Sequence, residues 1–134
     1  MATLLIQQPD GLFCIFNEGA ATFSARDMTQ PDAAGKVKEM LGWKDWATTP
    51  VGAIDHLLGM FRRAEADKGQ WPAARRRVCQ VHGPDAAAWM LTVERKAAVH
   101  AFNHATPEQI EAAISTLSPE GQAWARDFEA RGKR

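Results

Sequence analysis

The fourteen residues from Thr3 to Phe16 place the tightest limit on the fold. Two runs rich in large apolar side chains flank Pro9-Asp10-Gly11, where proline presets φ, aspartate bonds its own backbone and glycine accepts a left-handed conformation. This predicts a β-hairpin closed by a three-residue loop. In that register Gln8 faces Leu12, Ile6 faces Cys14 and Leu4 faces Phe16 on one side, while Leu5 pairs with Ile15 and Gln7 with Phe13 on the other. Both faces are therefore largely apolar. A hairpin wetted on one side alternates apolar with polar residues, so this one is either enclosed between two layers or offers a face to a partner. We expect Leu4, Ile6, Cys14 and Phe16 to form the covered face. Leu5, Phe13 and Ile15 are then the candidate interaction face, completed by the C-terminal helices through Ile110, Ile114 and Trp124 or by a homodimer. A third short strand around residues 21–25 carries Phe23.

Beyond Gln30 the apolar period lengthens from two to about 3.6, and helix starts recur as a proline in the first turn behind a capping residue. Helices are predicted from Thr29 to about Leu41, from Thr49 through Phe61, and from Trp71 to Gly83. Pro84 should start a further helix reaching about Asn103. In the second of these, Val51, Ile54, Leu57, Leu58 and Phe61 share a stripe, and Ile54, Leu58 and Phe61 are expected to cover the first hairpin face. Residues 78–81 and 89–93 could alternatively pair as strands, although the alanine content of that stretch favours helix. Thr106 to Gln109 reads as a capping box, and Ser118-Pro119 starts a last helix carrying Trp124 and Phe128. These elements describe a single domain over residues 1–134, of α+β class: an antiparallel hairpin, with or without the third strand, packed against five or six helices.

Sixteen Lys and Arg balance sixteen Asp and Glu, so net charge implies no pull toward nucleic acid or anionic membrane. No run is apolar enough to span a bilayer, the opening lacks the features of a signal peptide, and two widely spaced cysteines do not form a disulfide framework. A cytoplasmic protein with no membrane partner is the expectation. The charge is nevertheless segregated: residues 61–105 hold eight basic and four acidic side chains.

Several local patterns could carry function. Cys79 with His82 and His100 with His104 have ligand-like spacings, yet in a helical hairpin the two pairs lie roughly 18 Å apart, so no metal and no cofactor is expected. Arg75, Arg76 and Arg77 supply forked donors, but successive residues on a helix span about 200° and cannot meet one surface together. A helix-turn-helix drawn across residues 37–51 puts Lys38 where close crossing needs a small side chain and leaves the reading helix poor in cations. Trp43 and Trp46, between Gly42 and Pro50, are candidate anchors for a partner together with Arg75 and Arg76. The nucleophile elbow, the phosphate-binding loops and the His-Glu-x-x-His motif do not occur, which leaves no catalytic residue to nominate.

The first thirty residues, a strand, Pro9-Asp10-Gly11, the run Leu12 to Phe16, then Phe23 to Thr29 leading into a helix, resemble the openings of small uncharacterised accessory proteins carried by phages and plasmids. The resemblance implies a protein that binds a host or defence component, for example an inhibitor of a CRISPR effector complex. The expected function is accordingly non-catalytic protein binding. A nucleic-acid-binding transcriptional regulator is the alternative, and a small enzyme without a recognisable motif comes third.

Overall fold

A computed structural model describes residues 3–40, 42 and 50–132. Strands β1 (Thr3–Gln7), β2 (Phe13–Asn17) and β3 (Thr22–Met28) form an antiparallel sheet in the order β1-β2-β3. The predicted hairpin register is the observed one, with Leu4 opposite Phe16, Leu5 opposite Ile15 and Ile6 opposite Cys14. The turn closes as its sequence requires: the Gly11 N–H donates to the Gln8 carbonyl at 2.9 Å, and Gly11 has φ +89°, a conformation that costs other residues far more. The weakly marked third strand is real and longer than predicted. It carries irregularities opposite Phe13 to Phe16, and Gln8 repairs one of them. Its buried amide accepts from the Asp27 N–H at 2.8 Å and donates to the Asp27 and Asp10 carboxylates at 2.9 and 3.1 Å.

The helices are α1 (Gln30–Met40), α2 (Val51–Ala66), α3 (Gln70–His82), α4 (Ala88–His104), α5 (Pro107–Ser115) and α6 (Pro119–Ala130), with a 3-10 turn over Pro84–Ala87. The protein is thus α+β, and the strand alternative for residues 78–81 and 89–93 is replaced by α3 and α4. Two starts are capped as predicted. Thr106 and Gln109 form a reciprocal capping box, and the Ser118 hydroxyl accepts from the Gly121 N–H at 3.1 Å.

The central strand is buried from Phe13 to Phe16, because helices cover the sheet on both sides. One layer sets α3 and α4 against Ile6, Cys14 and Phe16 through Trp71, Ala74, Val78, Met90 and Val93. The other sets α1 and α2 against Leu5, Phe13 and Ile15 through Ala33, Val37, Leu57, Phe61 and Ala64.

This arrangement corrects two expectations. The candidate interaction face is the floor of a core: Leu5, Phe13 and Ile15 are only 5, 3 and 1% exposed, so the chain itself completes that face and leaves nothing there for a homodimer. The α2 stripe lies on that face rather than on the face of Leu4, Ile6, Cys14 and Phe16. It is also rotated, with Leu57, Phe61 and Ala64 inward and Leu58 and Val51 exposed. A broad apolar arc can turn either flank inward, and the neighbouring α1 and β1 decide which. Ile110 and Ile114 likewise miss the sheet. They join Phe102, Leu117 and Ala125 in a third cluster between α4, α5 and α6.

Candidate functional site

The turn from α5 into α6 forms one wall of a long groove, whose opposite wall is α3 with the hairpin loop. Its first part, about 490 Å³, lies among Pro9, Gly11, Ala97, Ala112 and Ala113. Its second, about 710 Å³, lies among Pro72, Arg75, Arg76, Cys79 and Pro84 on one side and Ser115 to Glu120 on the other. Lys68, Thr116 and Leu117 line both parts, which makes them a single depression: small and apolar at the hairpin end, cationic at the α3 end.

One buried carboxylate sets the spacing of the walls. Glu94, on α4, is fully enclosed. Its Oε1 accepts from the Trp71 indole N–H at 3.2 Å and from the Ser118 N–H at 2.8 Å, and its Oε2 accepts from the Ser118 hydroxyl at 2.7 Å. Trp71 belongs to α3 and Ser118 to the α5–α6 turn, so Glu94 ties both sides of the groove to one point. Three donors offset the desolvation of a carboxylate that would otherwise be costly to bury. The arrangement also explains Gly121: a Cβ there would lie 2.6 Å from Glu94 Oε2.

The arginine triplet divides as helical geometry requires. Arg75 is a brace, its side chain 12% exposed and its Nη2 donating to Glu120 Oε2 at 2.8 Å across the groove. Arg76 is exposed on the groove rim. Arg77 turns away into a separate hollow of about 660 Å³ beside Glu18 and Asp67, where its Nε donates to the Glu18 carbonyl at 3.4 Å. Lys68 donates to Gln7 Oε1 at 2.8 Å and contributes its charge where the two parts of the groove meet.

Of the anchors expected from sequence, Arg75 and Arg76 therefore share this groove, although Arg75 is too enclosed to be a free surface contact. Trp43 and Trp46 lie outside the described residues, as does most of the connection on which the helix-turn-helix was drawn. The remaining tryptophans are structural. Trp71 and Trp89 pack edge to face at 5.7 Å in an aromatic group with Phe23, and the Arg26 guanidinium sits over Trp89 at 4.6 Å. Trp124 stacks on Phe128.

The His and Cys pairs take different surroundings. The His82 ring contacts the Ala20 carbonyl at 2.8 Å, Cys79 lines the groove, and His100 and His104 lie against each other with ring centres 4.6 Å apart. Among the described residues no group of three or more His, Cys, Asp or Glu side chains converges as metal ligands would. Cys14 is a buried thiol, pushed far above the ordinary range first by burial and then by Asp27 and Asp10, with Arg26 acting in the opposite sense. It is therefore poorly suited to act as a nucleophile.

Glu120 and Glu94 were not singled out from sequence, and Lys68 only as part of the basic excess over residues 61–105. For Glu94 a signal existed: it falls among Met90, Val93, Ala98 and Ala101 on the buried side of α4, and a carboxylate inside an apolar stripe marks a buried polar contact. Glu120 carried none, because its relevance depends on a segment distant in the chain. Among the described residues no helix is long and apolar enough to cross a membrane. Comparison with protein-family models, curated proteins and solved structures finds no match to this chain.

Proposed function

We propose that this chain is a non-catalytic protein-binding accessory or regulatory protein, and that the groove between α3 and the α5–α6 turn receives its partner. The observation that carries this reading is the groove's two-part character, a small-residue apolar trough running into a cationic cleft. Apolar burial supplies affinity, and positioned charges supply register and choice of partner. Action on a host or defence complex, including inhibition of a CRISPR effector, follows from the N-terminal resemblance and belongs to the same proposal.

Nucleic-acid binding is less well supported by the geometry. Arg77 points out of the groove, and the groove's aromatic side chain, Trp71, is 3% exposed, which denies bases a stacking platform.

Affinity capture with the wild type, Arg76→Ala and Ala112→Arg tests the reading. Both positions are exposed, so the variants should keep the wild-type melting temperature. A nuclease-resistant stoichiometric protein complex lost in both variants is the expected result. A complex indifferent to both changes, or one dissolved by nuclease, would overturn the reading.

A further inference from the structure

Resting on that reading, we propose that the groove's occupant is an extended acidic segment of a partner protein, and that Glu120 is an internal stand-in for one of its carboxylates. Charge complementarity selects the occupant. Lys68, Arg75 and Arg76 line the cationic part, and Glu120 is the acidic side chain lining the groove. The adjoining trough of Ala97, Ala112 and Ala113 accepts small apolar side chains from the same segment.

The contact between Arg75 and Glu120 shows how the acidic segment would be read. Glu120 engages Nη2, whereas Arg75 Nη1 is buried with no partner among the described residues. A guanidinium presents parallel donors suited to a forked carboxylate, so the present contact leaves part of that capacity unused. Glu120 is also free to leave. Its side chain is 60% exposed while that of Arg75 is 12%, so the Glu120 end of the pair is open to water and to a competing carboxylate. Its carboxyl is held below the usual range first by its own backbone N–H at the start of α6, then by Arg75 and Ser118. On release from Arg75 it stays at the groove's edge, at the start of α6. The incoming segment displaces Glu120 from Arg75 Nη2 and places a second acidic side chain on Arg76 or Lys68.

Fluorescence anisotropy with a short labelled peptide, alanines followed by glutamates, tests the proposal against the intact protein and its variants. Wild type should bind it with an affinity that falls as salt rises. Glu120→Gln should bind about fivefold more tightly, equivalent to about 1 kcal/mol. Arg76→Ala should bind less tightly at unchanged melting temperature. Glu108→Gln, at the far end of α5, removes the same charge away from the groove and should leave affinity unchanged.

The proposal is overturned if the peptide binds none of these proteins, if Glu120→Gln is no tighter than wild type, if Glu108→Gln tightens binding equally, or if a single-stranded oligonucleotide of matched charge binds better. Its failure is separable from that of the broader reading. A captured protein complex that depends on Arg76 and Ala112 but ignores Glu120→Gln would retain the groove as a protein site while removing the acidic segment and its stand-in.

Discussion

Around the sheet, Phe13 and Ile15 on one face and Cys14 and Phe16 on the other are enclosed by contacts that have no preferred direction. At the groove, Glu94 holds Trp71 and Ser118 through three hydrogen bonds, which are directional. The apolar sandwich tolerates changes of shape as long as volume is kept. The groove wall depends on one residue, because every donor it gathers loses its partner together. An apolar core can therefore be specified by a pattern spread over many residues, whereas the geometry of a binding surface can rest on a single polar side chain placed inside.

The largest expected effect tests whether the two sheet faces are equivalent halves of one core. Phe13 and Phe16 are 3 and 2% exposed, so Phe13→Ala and Phe16→Ala should each cost about 3 to 5 kcal/mol in urea melts. A loss at Phe13 below about 1 kcal/mol would mean that α1 and α2 cover that face loosely and would restore it as a surface for a partner.

Removal of the central carboxylate comes next. Glu94→Ala strips acceptors from the Trp71 indole and the Ser118 amide and should cost about 2 to 4 kcal/mol. Glu94→Gln should cost less, since its carbonyl can still receive both N–H groups while its amide donates to the Ser118 hydroxyl. Equal losses in the two variants would show that charge, rather than hydrogen-bond geometry, holds the groove wall.

Gly121→Ala should destabilise by about 1 to 3 kcal/mol through overpacking against Glu94. Combined with Glu94→Ala it should add less, because the closest atoms it meets are gone and only Leu117 Cβ, at 3.2 Å, still crowds it. Full additivity in that double variant would remove the steric account of the glycine.

The smallest effect separates the two cysteines. Native Cys14 should resist thiol reagents while half-buried Cys79, on the groove, reacts. Because the folded Cys14 pKa is raised, its contribution to stability is fully present below the ordinary thiol pKa of about 8.5 and declines as pH rises beyond it, by at most about 1.4 kcal/mol per pH unit. The unfolded thiol loses its proton in that range and the folded one keeps it. Cys14→Ala should show a shallower alkaline decline, and an identical pH profile would place the origin of the decline elsewhere.

Local rules accounted for the elements themselves. Pro9, Asp10 and Gly11 set the hairpin register, Thr106 with Gln109 and Ser118 set two helix starts, and the apolar period separated strands from helices. These signals act within a few residues, so they are written where they operate. Alternation also showed that both hairpin faces are apolar, but it could not assign α2 to Leu5, Phe13 and Ile15. Apolar burial has no direction, and either face would have satisfied the stripe.

The groove was legible only in part. Arg75 and Arg76 stood out as cations, but nothing near them in the chain showed that one braces the groove while the other faces solvent. That distinction comes from Glu120, 45 residues away, just as the groove wall comes from a bond between Glu94 and Ser118 across 24 residues. A turn or a cap is decided by neighbours along the backbone, whose geometry is nearly the same in every fold. A hydrogen bond between distant segments exists only after packing has brought its donor and acceptor within about 3 Å, and the candidate site of this protein is made of such contacts.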